Sequence, residues 1–180
     1  MSNDSTTAGY LTPTGPPPLY DEELEREISR WIRAVSGLPA KMVFPRMTDP
    51  QTQIPQNGTT WCGFSISDFN QDAYPALIAG EESSQQWDHE SLNILCCFYG
   101  PAGQQTATRF RAGIFISQNN DELKRLGLTL WQCGKMYNVP ELINNQWVRR
   151  YDITVILRRK VIREYGIKSL TSAPVKFFGE

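Results

Sequence analysis

With a single histidine among 180 residues, no Cys-x-x-Cys pair and no H-E-x-x-H, the sequence offers little to a metal ion. It also has neither G-x-x-x-x-G-K-[ST] nor G-x-G-x-x-G, the glycine loops whose backbone N–H groups cradle phosphates. Nucleotide-driven and dinucleotide-dependent enzymes are therefore not expected, and neither is any cofactor. No apolar run approaches the roughly 20 residues that cross a bilayer, so no membrane partner is expected either. The first residues carry neither a basic n-region nor an apolar h-region, which argues against a secretory leader. Cysteine is scarce: Cys62, Cys96, Cys97 and Cys133 each sit inside an apolar or strand-like stretch. That setting suits buried thiols in a reducing compartment better than a zinc site or a disulfide scaffold.

What the chain does have is uneven charge. The formal net charge of −1 hides a split: residues 147–180 hold eight Lys and Arg against three Asp and Glu, while residues 1–146 hold ten against sixteen. Within the basic part, WVRRYDITVILRRKVIREY from Trp147 to Tyr165 alternates as a strand does. Trp147, Arg149, Tyr151, Ile153, Val155 and Leu157 fall on one side, with Val148, Arg150, Asp152, Thr154, Ile156 and Arg158 on the other. The strand is expected to start in a packed sheet and to run out, at Arg158, Arg159, Lys160 and Arg163, onto a solvated or partner-facing edge. A polarised chain of this kind suits docking between unlike protein surfaces better than bulk nucleic-acid binding. The alternative is a surface strand whose arginine stems cover apolar neighbours while their heads stay wet.

A chain of this length predicts one domain with loose ends, burying roughly 70% of its unfolded surface. Residues 1–20 are rich in Ser, Thr, Gly and Pro, and Pro16, Pro17 and Pro18 exclude helix and inner strand, so a flexible arm is predicted. Leu24, Ile28, Ile32 and Val35, with Trp31 alongside, make one apolar stripe and predict a helix over 21–36, stopped by Gly37 and Pro39. Asp21, Glu22 and Glu23 in its first turn favour the helix dipole. Strands are predicted near 42–44, 60–67, 86–99, 128–136 and 146–164, with a second helix over 103–115 and a short turn capped by Asn120. Leu92, Ile94, Cys96 and Phe98 share one side of the core strand and Leu95, Cys97 and Tyr99 the other, so both faces should be covered. Residues 69–84 read as a polar connection and 137–145 as loop. Between the first two strands runs an excursion over 45–59, long for a compact domain, with Asn57-Gly58 as a tight-turn signal and the look of a projecting hairpin. The fold class is thus α/β of the α+β kind: a mostly antiparallel sheet flanked by helices, with a long projecting loop and extended terminal segments. A sandwich-like domain with peripheral helices is the second choice.

Catalytic groups do not converge in the sequence. His89 lies in WDHES at a strand start, where Asp88 and Glu90 point to the opposite face and cannot readily serve it. Glu122-Leu123-Lys124 has the acid-x-lysine step of metal-dependent nucleases, but NNDELKRLG reads as a helical turn on which the two side chains diverge. Arg109 and Arg111, with Arg158 and Arg163, could touch phosphate without reading sequence. We therefore expect no enzyme, with a metal-dependent nuclease or a monomeric DNA-binding module as the alternatives.

The run Val139 to Pro174 carries a resemblance. Pro140-Glu141-Leu142, Trp147, Arg150, Asp152, the Arg158-Arg159 pair, Arg163 and Tyr165, followed by Ile167, Ser169, Ser172 and Ala173, resemble the neck and tail terminator proteins of tailed bacteriophages. Cys97-Phe98-Tyr99-Gly100-Pro101 and the excursion from Pro45 to Asn57 extend the likeness over most of residues 20–175. The resemblance implies a small α/β subunit of the virion neck, assembled in the bacterial host cytoplasm. It implies a homo-oligomeric ring, six copies with twelve as the alternative, that joins a portal- or adaptor-side connector to tail proteins and terminates or completes the tail. Genomic DNA would pass through its lumen without sequence-specific contact. The domain so implied spans 21–165, with an extended tail over 166–180. Candidate interface residues are Pro45, Arg46, Gln53, Ile54 and Asn57 on the excursion and Arg149, Arg150, Arg158, Arg159, Lys160 and Arg163 on the basic strand.

Overall fold

The computed structural model describes residues 4–6, 8–50 and 52–167. Most of the expected C-terminal tail, with Ser169, Ser172 and Ala173, lies outside the described residues. The chain forms two compact units: a larger one of Leu19–Gln71 and His89–Lys160, and a smaller one of Met1–Pro18, Asp72–Asp88 and Val161–Glu180.

The larger unit is organised by the apolar stripe of α1 (Asp21–Ser36), which buries Leu24, Ile28, Trp31, Ile32 and Val35. Gly37 ends it in the left-handed region at φ 73°, its N–H donated to Arg33 O at 2.9 Å. That left-handed conformation is one glycine takes without strain, and a Cβ there would also stand 2.6 Å from the Arg109 guanidinium. Five strands follow the order β1-β2-β4-β8-β5, where β1 is Val43–Pro45, β2 Trp61–Gln71, β4 Ser83–Tyr99, β5 Thr129–Asn138 and β8 Arg150–Gly166. The pairs β2–β4 and β5–β8 are antiparallel, and β1–β2 is parallel. The excursion is therefore a crossover between parallel neighbours rather than the hairpin its Asn57-Gly58 suggests, although that turn does form, with Thr59 N–H donated to Gln56 O at 3.1 Å.

Alternation in β4 works as expected at its packed end. Leu92, Ile94, Cys96 and Phe98 join α1, Ile153, Val155 and Leu157 of β8, and Ala107, Phe110 and Ile114 of the α2 region (Gly103–Gly113) in one buried cluster. On the other face, Cys97 and Tyr99 cluster with Trp61. Fully burying an aliphatic side chain of this kind is worth about 1.5–3 kcal/mol, so Ile28, at 0% exposure, is a position the fold depends on. Asn120 precedes α3 (Asp121–Arg125) but does not cap it with its side chain. Its amide instead accepts from Trp31 Nε1 at 3.1 Å and donates to Ile114 O at 2.7 Å, joining two core elements.

Two departures from expectation shape the surface. The strand predicted over 146–164 breaks at Arg149: β7 (Gln146–Val148) pairs antiparallel with β6 (Glu141–Ile143) in a separate two-stranded sheet. Asn144 and Asn145 both take positive φ, 50° and 59°, the left-handed pair that a two-residue hairpin turn needs. Residues read as loop and as the start of the long basic strand thus become one hairpin, and Trp147 stands exposed on it.

In the smaller unit, β3 (Ala76–Ala79) pairs antiparallel with the first part of β4, from Ala76↔Trp87 to Ala79↔Ser84. This strand was not expected in the polar connection, because its Leu77 and Ile78 are exposed and show no buried alternation. The proline-rich arm is laid against the end of β8: Pro13 bridges Tyr165, and Thr14 N–H is donated to Glu164 O at 2.8 Å.

Candidate assembly surface

Where β1 ends, the main chain of Arg46 is held by donation of its N–H to Phe64 O at 2.7 Å, which aims the side chain over the sheet end. Its guanidinium donates to the Tyr99 hydroxyl and, at 3.4 Å, to Glu141 Oε1. Tyr99 donates in turn to Glu141 Oε2 at 2.7 Å, and Arg150 Nη1 donates to the same oxygen at 3.0 Å. Arg150 also forks onto Asp152, Nε to Oδ1 and Nη2 to Oδ2, both at 2.7 Å. Such bidentate, charge-assisted bonds are among the stronger polar contacts a protein makes. Below them Phe44, Trp61 and Tyr99 stack nearly parallel, with centroids 5.1 Å and 4.0 Å apart.

The electrostatics agree with this geometry. Burial alone would raise the Glu141 carboxyl, but the Tyr99 hydrogen bond and the two guanidinium groups outweigh it and hold it below its ordinary value. Tyr99 is kept protonated, first by burial and then by its bond to Glu141. Hydrogen bonding to Asp152 raises Arg150 further. Burial and the charge of Asp152 push the Cys97 thiol up to about 12, which leaves it inert as a nucleophile. Glu141 therefore fastens the β6–β7 hairpin to β1, β4 and β8 at once.

Over this braced base two large apolar side chains stand exposed. Leu142 and Trp147 are cross-strand partners on the hairpin, 53% and 74% exposed, while Ile143 and Val148 pack inward on the Trp61–Tyr99 cluster. Asn57 of the excursion donates from its side-chain amide to Gln146 on the hairpin. Excursion and hairpin thus touch through this bond, and the excursion lines a cleft of about 360 Å³ between Phe44, Arg46, Met47, Ile54 and Trp61.

Several candidate residues gather here. Pro45 lies in β1 opposite Phe64, Arg46 and Arg150 belong to the ion-pair network, and Gln53, Ile54, Asn57 and Arg149 are exposed. Others do not. Arg158 lies on the open face of the sheet, its guanidinium 4.4 Å from the Trp131 ring centroid, with Lys160 exposed next to it. Arg163 belongs to the smaller unit, 3.5 Å from Asp88. Arg159 must be corrected outright: it is a core residue, 5% exposed, and not an edge residue. It points to the same side as Leu157 and Val161, donates to Glu90 Oε2 and to Leu19 O at 2.7 Å each, and covers the Tyr20 ring. Sequence reasoning gave no role to the Tyr99 hydroxyl or the Glu141 carboxylate, and it placed Trp147 at the start of the long strand in the packed sheet. The signal that could have found the hairpin is Asn144-Asn145 between two short apolar runs.

Nothing in this arrangement converges on a reacting atom. Glu122 and Lys124 lie on the short helix α3, where Lys124 is bound by Asp121 at 2.8 Å and by Ser117. Among the described residues no group of three or more His, Cys, Asp and Glu could hold a metal ion, and no helix is long and apolar enough to cross a membrane. Fold and surface together define an α+β protein whose β6–β7 hairpin is braced by an ion-pair network and carries exposed Leu142 and Trp147. The chain belongs to the family described as phage neck terminator protein, whose profile matches residues 22–180. It is accordingly a structural protein and a component of the phage particle. The match begins inside α1 and leaves the proline-rich arm outside. No curated protein matches the chain.

Proposed function

We propose that this chain closes into a ring at the head-to-tail junction, where it completes or terminates the tail and joins it to the connector on the head side. The family match over residues 22–180 carries the placement in the neck. Exposed large apolar side chains that cluster mark a contact surface, and the cross-strand pair Leu142 and Trp147 stands exposed on the hairpin that Glu141 braces, with Met47 and Ile54 exposed on the excursion. Preorganisation of that hairpin lowers the entropy lost on docking. In a ring each subunit meets its neighbour through two different surfaces, a requirement that uneven charge along the chain suits. Six copies is the expected number, twelve the alternative, with DNA passing through the lumen without base-specific contact. Assembly takes place in the host cytoplasm. The test is a phage lacking this protein, complemented by wild type or by Leu142→Ser/Trp147→Ser, with particles imaged by electron microscopy. Filled heads without joined or completed tails are expected in its absence and in the variant. Normal tailed particles without the protein would overturn the proposal.

A further inference from the structure

The open face of the larger unit's sheet carries a second formed site. Arg158 there stacks on Trp131, which is 62% exposed, and among the described residues it has no carboxylate partner. Lys160 and His89 are exposed beside it, and these residues with Gly127 and Thr129 line an open cleft of about 350 Å³. The Thr129 hydroxyl donates to Arg158 O at 3.2 Å, which fixes the strand under the guanidinium. A cation held by an aromatic ring rather than by an acid stays available to a carboxylate, and the ring supplies apolar area next to it.

The complementary charge lies elsewhere on the same unit. Asp21, Glu22 and Glu23 are exposed in the first turn of α1, and none has an ion-pair partner among the described residues. Glu25 follows, its carboxyl raised by burial and then by the charges of Glu22 and Asp21, a sign that negative charge is crowded there. One copy cannot bring the two sites together. The α1 helix covers the face of the sheet to which Leu157 points, and Arg158 and Lys160 alternate onto the opposite face.

We propose that the Trp131–Arg158–Lys160 cleft of one copy receives the acidic first turns of α1, around Glu22 and Glu23, from a second copy of this chain. The contact rests on the ring reading given above and names the surfaces that would close the ring. Because it joins unlike surfaces, each copy offers one cleft and one helix end, and repetition of the same contact around an axis closes a ring.

Particles made by complementation provide the test. Glu23→Cys together with Lys160→Cys, oxidised in assembled particles, should yield a ladder of covalent multimers on denaturing electrophoresis, and neither single variant should. As a second arm, Glu22→Lys/Glu23→Lys and Arg158→Glu/Lys160→Glu should each lower the yield of tailed particles about tenfold by placing like charges in contact. Combining all four changes should restore the yield to within about threefold of wild type. These positions are exposed or half-exposed, and unchanged thermal unfolding of the purified variants checks that they fold. Normal particles without a ladder, or a four-fold variant no better than the worse pair, would overturn this contact and leave the ring standing. Particles whose neck lacks the wild-type protein would defeat both.

Discussion

Tyr99 and Glu141, 42 residues apart in the chain, share a hydrogen bond of 2.7 Å at the point where the β6–β7 hairpin meets the sheet. Two arginines, Arg46 and Arg150, reach the same carboxylate, one at each oxygen. Glu141→Gln retains the shape and a weak acceptor but removes the charge that both cations face. We expect a loss of about 1–3 kcal/mol in urea unfolding. Faster amide exchange confined to residues 141–148 should accompany it. A global loss without local loosening would contradict the view that Glu141 acts as the hairpin's fastener.

A second carboxylate is buried more deeply. Glu90 is 1% exposed and accepts from Tyr20, Gln71 and Arg159. Breaking a buried pair by removing one partner leaves an uncompensated charge, at a cost of about 3–5 kcal/mol. Arg159→Met should show that loss in denaturant unfolding, and Glu90→Gln with Arg159→Met should recover part of it. If Arg159→Met were as stable as wild type, the guanidinium would belong on the surface after all.

Both carboxylates predict a pH dependence of one sign. Burial raises Glu90, yet its hydrogen bonds from Tyr20 and Arg159 and the Arg159 charge dominate and lower it, as the corresponding contacts lower Glu141. A carboxyl depressed in the folded state contributes stability that is present above its unfolded value, about 4.3 for Glu. That stability is lost as pH falls through the folded value. Thermal unfolding should therefore be flat from neutral pH to about 5 and fall below about 4.3. Glu90→Gln should start less stable and fall less steeply.

The exposed surface should behave in the opposite way. Trp147→Ser and Leu142→Ser remove side chains that make little contact within the fold, so unfolding should shift by no more than about 0.5 kcal/mol. Deletion within residues 50–56, which keeps Arg46 and Asn57, should also spare the fold. Tail attachment should fail in all three. Normal attachment would return this surface to simple exposure.

Purified protein incubated with linear DNA and Mg²⁺ or Mn²⁺ should leave the DNA intact. Lys124 is bound to Asp121 on the surface of a short helix, and Glu122 has no second acid opposite it on a strand. Cleavage abolished by Glu122→Gln would reverse this expectation.

Legibility of the sequence followed burial. The stripe Leu24, Ile28, Ile32, Val35 and the alternation Leu92, Ile94, Cys96, Phe98 specify α1 and β4 because each repeats one buried face at the period of its element. Residues 141–148 lack that signal, since in a two-stranded sheet of three residues a side Ile143 and Val148 are its only apolar residues even half-buried, and its cause is turn chemistry at Asn144-Asn145. Arg159 was misread because charge was taken as a sign of exposure, whereas its odd position in β8, shared with Val155, Leu157 and Val161, decides its direction. The Arg46–Tyr99–Glu141–Arg150 network was half legible: its arginines stand out in the sequence, but the acid that joins them, Glu141, is distant from Arg46 and Tyr99 in the chain.

The most direct test is a reconstruction of the particle neck at a resolution that traces side chains. A closed ring of this chain is predicted, with Leu142, Trp147 and the 46–60 crossover buried against an adjacent protein chain. A neck without the chain, or a ring in which hairpin and crossover face only solvent, would contradict it.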